Sequence, residues 1–331
     1  MQALVFDQPA PDTSATTVKN ITAPAPGPGQ VAVRVAYAGI NFKDVMARRG
    51  DSGYVSRWPF IPGMEVAGTI ISAGPGVTTY REGDHVVALT NQGGLAEVAV
   101  ADAALTVPLP AGLDLARAVT APGAVTTALL LHNRVARIQA GDVVLVHSAA
   151  GAVGRALADV VRATSGARLI GAVGAASRIG AAQAAGYPDV FVRGEALSDE
   201  IRSATAGRGV DIVLDPQGTT FLAQDLAMLA PGGRIILFGN AAGGTLAPLP
   251  PTHLLYGNNA SVGGFSLAAL SATAPETVAA AMQTALQMLA AGQAAATPII
   301  IEGLTAAPNA QQALAEGAGK GKYVVRVREH I

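Results

Sequence analysis

No cysteine occurs anywhere in the 331 residues, and aromatic side chains make up only 4% of them. The first absence excludes disulfides, thiolate-bound zinc and a cysteine nucleophile. The second limits any pocket that stacks a large flat ligand to a few rings, drawn from Phe42, Tyr54, Trp58, Tyr256 and Phe265. Charge is scarce too, at 14% of residues, and balanced: Lys+Arg 22 against Asp+Glu 23, a formal net charge of -1. With no basic run longer than the pair Arg48-Arg49, neither a nucleic acid nor an anionic membrane surface is an expected partner. Long uninterrupted apolar runs are also missing. The segments Ile235–Pro275 and Thr277–Ile301 carry no Asp, Glu, Lys or Arg, but Pro248, Pro250, Pro251, Asn258, Gln283, Gln287 and Pro298 interrupt them. A spanning helix needs about 20 continuous apolar residues, so none is expected. Val278, Met282, Ala285, Leu286 and Leu289 instead mark one face of an amphipathic helix. The opening Met1–Ala10 has no basic stretch ahead of an apolar run, so no signal peptide is expected and the chain reads as cytoplasmic.

What is present is a chain 50% hydrophobic, long enough for about two domains. From Met1 to about Val107, short apolar runs (Val31–Ala38, Val66–Ser72, His85–Leu89) alternate with Gly/Pro turns, which predicts a β-rich domain. Leu115–Leu131 reads as helical, with Pro122 expected to kink or divide it. Strands and helices then alternate. Strands are expected at Val143–His147, Arg168–Val173, Val190–Val192, Asp211–Leu214 and Arg234–Phe238. Helices are expected at Val153–Thr164, Ser177–Ala185, Asp199–Thr205 and Phe221–Leu229. Short, fully apolar strands separated by helices predict a parallel sheet covered on both faces. A sixth strand is expected just before Gly263-Gly264-Phe265. One more helix (Pro275–Ala291) and two strands (Thr297–Ile301, Lys322–Val327) are too few for a third domain and are assigned back to the first.

The run from Val143 to Gly154 carries the most chemistry. It reads strand, small-residue turn, helix, with the pattern A-x-G-x-x-G and Ala149 in place of the usual first glycine. Small residues let backbone approach a diphosphate, and the helix start offers free N–H groups. A purely structural turn for helix–strand packing is the competing reading. About twenty residues on, where a carboxylate would hold the ribose 2′-OH of NAD, stand Gly174, Ala175, Ala176, Ser177 and Arg178. A hydroxyl and a guanidinium in place of an acid suit a 2′-phosphate, hence NADPH. Arg178 as a solvated helix-face residue is the alternative.

These segments, with Gly171–Gly174, Phe238-Gly239-Asn240, Gly39–Asp44, Pro59–Gly68 and Gly321–Val325, resemble the zinc-independent quinone oxidoreductases of the medium-chain dehydrogenase/reductase superfamily. Asn41–Met46 is also similar to the enoyl-reductase modules of polyketide and fatty acid synthases. The resemblance covers nearly the whole chain and implies an α/β protein: a GroES-like β-rich catalytic domain (1–122 and 267–331) plus a Rossmann doubly wound parallel-sheet domain (123–266) binding NADP(H), with the active site in the cleft between them. It implies that Thr127, Ala150, Gly151, Ala152, Val153, Gly174, Ser177, Arg178, Phe238, Gly239, Asn240 and Lys322 hold the coenzyme. Arg193 replaces a tyrosine that relatives place near the ribose phosphate, and reads either as a phosphate ligand or as an exposed residue. Asn41 is implied at the nicotinamide–substrate junction. Relatives commonly join their Rossmann sheets edge to edge, so a homodimer through Ala260–Val262 is implied.

Zinc-dependent relatives use Cys, Gly-His-Glu and a further Cys or Asp. Here Gly63-Met64-Glu65 stands in place of Gly-His-Glu, and His85, His132, His147, His253 and His330 show no close metal-ligand spacing, so no metal is expected. The remaining chemistry is hydride transfer to an electrophilic acceptor, a quinone or the β-carbon of an α,β-unsaturated carbonyl. Donors to the developing oxyanion are sought in Asn41 and Tyr54, with Lys43 nearby. Tyr54 lies slightly farther along than the tyrosine of the enoyl-reductase modules, and the alternative is a loop aromatic beside Trp58. Asp44 reads as an ion-pair partner of Lys43. Two other functions compete: a non-catalytic NADPH-binding protein, and a trans-acting enoyl reductase for carrier-bound chains, for which Arg48, Arg49 and Arg57 would supply a docking patch.

Overall fold

The computed structural model describes residues 1–249, 251–295 and 297–327, and every count below refers to these. They form two compact units, Met1–Thr127 with Leu267–Ile331, and Ala128–Ser266. No described helix is long and apolar enough to cross a membrane.

In the first unit the strand Gln30–Gly39 pairs on its two edges with Glu65–Ala73, Val98–Asp102 and Tyr323–Arg326. Being central, it is buried almost throughout, with only Arg34 exposed. Val31, Val33 and Val35 join Phe6, Val66, Ile70 and Leu95 in the core. Tyr323–Arg326 runs antiparallel to Gln30–Gly39, with Val324 opposite Gly39, and Ile299–Glu302 pairs with it in parallel. This register stitches the C-terminal segment into the N-terminal sheet. Two helices there, Leu267–Thr273 and Ala307–Ala315, were not expected from the sequence. The second buries Ala307, Ala310 and Gln311, a face too small to leave a hydrophobic period.

The helical stretch begun at Leu115 is divided as Pro122 requires. Leu115–Ala118 is followed by a widened turn over Ala121–Val125, then Thr126–Leu130. Proline offers no N–H for the regular ladder.

The second unit is a six-stranded parallel sheet. Across the sheet the strands run Asp189–Val192, Arg168–Val173, Val143–His147, Val210–Asp215, Leu229–Leu237, Ser261–Gly264. By position in the unit this is the order 3-2-1-4-5-6, so chain direction across the sheet reverses between Val143–His147 and Val210–Asp215. Crevices that bind dinucleotides form at such a reversal. Val144, Leu145 and Val146 are fully buried, as a strand covered by helices on both faces must be. Gly263 and Gly264 lie within the edge strand rather than after it: they pair with Ile236 and Leu237.

Candidate functional site

The strand Val143–His147 leads through a turn into the helix Ala152–Ala163. The turn needs one left-handed residue, and Ser148 supplies it at φ 56°. Ala149 therefore keeps ordinary backbone geometry, which is why alanine serves where the common fingerprint has glycine. Gly154 has no such latitude. A Cβ there would lie 2.5 Å from the Ala149 carbonyl oxygen and 2.7 Å from that of Ser148. The absence of a side chain lets the helix start close on the strand, and its first N–H groups are left for an external acceptor. Gly239, at the end of Leu229–Leu237, is pinned the same way, since a Cβ would meet the Pro216 carbonyl oxygen at 2.7 Å. Phe238 N–H donates to the Asp215 carbonyl, and Asn240 Nδ2 donates to that of Gly244.

Three guanidinium groups surround this turn. Arg178 Nη2 donates to the Ala150 carbonyl at 3.4 Å, and Arg155 Nε donates to the same oxygen at 3.1 Å. Arg193 Nη1 donates to Ser148 Oγ at 3.3 Å, beside a 2.8 Å bond to that oxygen from Gln217 Nε2. Arg193 also lies over the Phe221 ring, 5.5 Å from its centroid. A Cβ on Gly174 would sit 2.9 Å from Arg193 Nη2, so the guanidinium fills the place where NAD-type chains carry a carboxylate. Arg193 is half-buried, not exposed. Ser177 is exposed. Arg155 was not singled out in the sequence, where it reads as one charge on an amphipathic helix.

Beneath the turn, His147 Nε2 and Asp225 Oδ1 lie 2.9 Å apart, both side chains fully buried. Asp215 stands near them, and burial pushes its carboxyl up to about 6. Of the other described histidines, His253 is exposed on the surface, and two have ordinary partners. His132 bonds Asn133, Ser165 and Thr164, and His85 bonds Thr69; His330 lies outside the described residues. Among the described residues no group of three or more His, Cys, Asp or Glu is gathered as a metal site.

The first unit holds a second polar cluster, all but invisible in the sequence. Asn41 precedes the helix Phe42–Arg49. Its Nδ2 donates to Glu65 Oε1 at 2.8 Å and, weakly, to the Gly39 carbonyl at 3.4 Å, while its Oδ1 accepts from Lys322 Nζ at 2.7 Å. Lys322 Nζ also donates to the Ile40 carbonyl at 3.0 Å and forms a buried ion pair with Glu65. Gly123 N–H completes the Glu65 carboxylate at 2.6 Å. Glu65 is so tightly held that a Cβ on Gly39 would overlap its carboxylate, and one on Gly123 would lie 2.6 Å from Oε2. The β-register explains the meeting: pairing Val324 with Gly39 and Val66 with Ala38 brings Lys322 and Glu65 to one strand end. Lys322, expected among the coenzyme ligands, has all three ammonium hydrogens engaged here. Thr127, also expected there, is buried and belongs to this unit.

Other expectations are corrected by the same unit. Asp44 does not hydrogen-bond Lys43. Its carboxylate accepts the backbone N–H groups of Asn41 (2.8 Å) and Gly63 (3.1 Å), while Lys43 Nζ donates to the Asn91 carbonyl. Arg48 is no docking residue: it is fully buried and donates to the Pro11 carbonyl and Gln312 Oε1. Arg49 pairs with Asp51. Tyr54 is half-buried and, like Trp58, packs on the core of the first unit; burial pushes its phenol up.

Burial raises the Asp44 carboxyl from its ordinary 3.8 to about 6, against the lowering effect of its two N–H donors. The folded state thus binds this proton more tightly than the unfolded one. The associated stability is complete below about pH 4 and lost as pH rises through about 6. Relative to Asp44→Asn, the unaltered chain should gain about 2.4 kcal/mol between pH 7 and pH 4, read from urea midpoints at each pH. A difference that does not change with pH would contradict it.

Comparison with known proteins finds two family domains, the second of which runs past Ser266 into the first unit. Residues 27–111 match the alcohol dehydrogenase GroES-like domain, and residues 152–291 match a domain described as zinc-binding dehydrogenase. Quinone oxidoreductase-like protein 2 of Mus musculus is 32% identical over 249 residues, 75% of this chain and 71% of that protein. The phthioceranic/hydroxyphthioceranic acid synthase of Mycobacterium tuberculosis is 33% identical over 307 residues, 91% of this chain but only 14% of that much longer one. Among solved structures, Escherichia coli quinone oxidoreductase complexed with NADPH is 25% identical, with TM-score 0.90 over 98% of this chain and 100% of the other. A mycobacterial protein complexed with NADPH is 28% identical over the same shares, also with TM-score 0.90.

Proposed function

Because this chain belongs to the quinone oxidoreductase and enoyl reductase branch of the medium-chain dehydrogenases and reductases, we propose that it uses NADPH to reduce a quinone or the β-carbon of an α,β-unsaturated carbonyl. The observation that carries this reading is the turn from Ser148 to Gly151, closed on its strand by Gly154 and ringed by Arg155, Arg178 and Arg193. The amides of Gly151, Ala152 and Val153 would hold the diphosphate, with Ala150 giving the turn its closeness. Gly174, Ser177, Arg178 and Arg193 would line the adenosine end, and Phe238, Gly239 and Asn240 the neighbouring strand end. On this reading Ala128–Ser266 is the coenzyme domain and the first unit carries the substrate chemistry. Two solved relatives complexed with NADPH support the choice of coenzyme.

When bound, NADPH supplies the hydride and its two electrons. The protein must steady the oxyanion that forms on the acceptor. Asn41 has one N–H committed to Glu65 and a second held only loosely by Gly39, and that second N–H is the donor we assign to the substrate oxygen. Lys322 and Glu65 fix which way the carboxamide faces. Tyr54, a phenol that carries its proton at neutral pH, is assigned as the second donor.

The domain name invokes zinc, yet the residues do not fit it. Met64 presents a buried neutral thioether, Glu65 is spent on Lys322, and the chain has no cysteine. A substrate that arrives already electrophilic is therefore favoured over an alcohol.

The test is NADPH consumption, read by its near-ultraviolet absorbance, with 1,4-benzoquinone, an alkenone and crotonyl-CoA in parallel. Turnover of at least one is expected; none with any acceptor class would leave a non-catalytic binding protein. A second reading, a trans-acting enoyl reductase for carrier-bound chains, is favoured by the match to a stretch of polyketide-type synthase. Preference for the thioester would support it. The free edge of Ser261–Gly264 supports a homodimer through sheet extension.

A further inference from the structure

We propose that Arg155 and Arg178 form a paired-guanidinium clamp for the 2′-phosphate of the coenzyme, which makes Arg155 a determinant of NADPH over NADH. The inference deepens the coenzyme reading above and rests on it.

Two residues from different elements converge here. Arg155 comes from the second turn of the helix Ala152–Ala163, and Arg178 from the short turn Ala176–Arg178 that follows the next strand. Both donate to one neutral acceptor, the Ala150 carbonyl. Neither forms an ion pair among the described residues. Arg162, farther along the same helix, pairs with Asp159. Burial draws the Arg155 guanidinium below its usual range, and the neighbouring charge of Arg178 lowers it further. One carbonyl takes only one N–H from each group, so the Nη groups of Arg155 and the Nε and Nη1 of Arg178 have no acceptor among the described residues. The segment Gly174–Ser177 between them contains no carboxylate to neutralise the pair.

A ligand that settles this arrangement carries two negative charges and several acceptor oxygens in a small volume. A phosphomonoester has both properties, and guanidinium forks match its oxygens in pairs. Arg193 is less suited as the second cation. It is engaged with Ser148 and the Phe221 ring, and Asp215 and Asp225 offset its charge.

The experiment is calorimetric titration of the full chain with 2′,5′-ADP and with 5′-AMP, which differ only in the 2′-phosphate. Arg155→Gln removes the charge and keeps an N–H donor; Arg155→Lys keeps the charge and loses the fork. Loss of a charge-assisted bond should weaken 2′,5′-ADP binding to Arg155→Gln by about 10- to 30-fold while 5′-AMP stays within about twofold, and Arg155→Lys should fall between. Retained 5′-AMP binding also shows that the turn is intact. Unchanged affinity for 2′,5′-ADP in Arg155→Gln, or equal losses for both nucleotides, would overturn the clamp while leaving the coenzyme reading standing. Failure of the unaltered chain to bind either nucleotide would take both down together.

Discussion

Replacing Lys322 with Met should lower the unfolding free energy by about 3–5 kcal/mol, because it takes the cation away from a buried carboxylate. The side chain is 7% exposed and Glu65 is 0% exposed. Removing the ammonium strands a buried carboxylate that packs against Gly39 and Gly123. Asn41 and Gly123 continue to donate to it, but neutral donors do not cancel a buried charge. The double variant Glu65→Gln with Lys322→Met has no charge to strand and should recover to within about 1.5 kcal/mol of the unaltered chain. Such recovery is the signature of coupling, since independent sites would add. Urea unfolding of the three proteins measures it directly. If the double variant is less stable than Lys322→Met alone, the ion pair is not the reason for the loss. The functional corollary is that the double variant, though folded, no longer orients the Asn41 carboxamide.

What could be read from the sequence, and what could not, divides along a physical line. The parallel sheet was legible because strands such as Val143–His147 are buried on both faces and therefore apolar throughout, and because helices separate them at short intervals. The turn after His147 was legible for a related reason: close backbone approach demands small residues, and Ala149 to Gly154 has few others. The Glu65–Lys322 pair had no local signature. The two residues are 257 positions apart and meet only through the register of Tyr323–Arg326 on Gln30–Gly39. One hint was available, an acidic residue opening the apolar run Val66–Ile71, which a buried strand tolerates only with a cation at hand. Arg48 misled for a geometric reason. Its neighbour Arg49 suggested a basic surface patch, but successive helix positions point about 100° apart, and Arg48 is turned inward. Arg155 was missed because a single arginine on an amphipathic helix looks like a solvated face until Arg178 is seen beside it.

Gly154→Ala should weaken NADPH binding at least about 30-fold, close to 2 kcal/mol. The added Cβ meets two backbone carbonyl oxygens of the turn, so relief requires moving the very segment whose amides would hold the diphosphate. Gly180→Ala is the matched control: a Cβ there meets nothing within 4 Å, and alanine in the helix Ile179–Gln183 should raise stability by about 0.5–1 kcal/mol without touching affinity. Amide hydrogen exchange across both variants and the unaltered chain, with and without saturating NADPH, tests the coenzyme assignment most directly. In the unaltered chain and Gly180→Ala, NADPH should slow exchange at Gly151, Ala152 and Val153, and Gly154→Ala should lose that protection. Exchange at those three amides that is indifferent to NADPH in the unaltered chain would contradict the assignment.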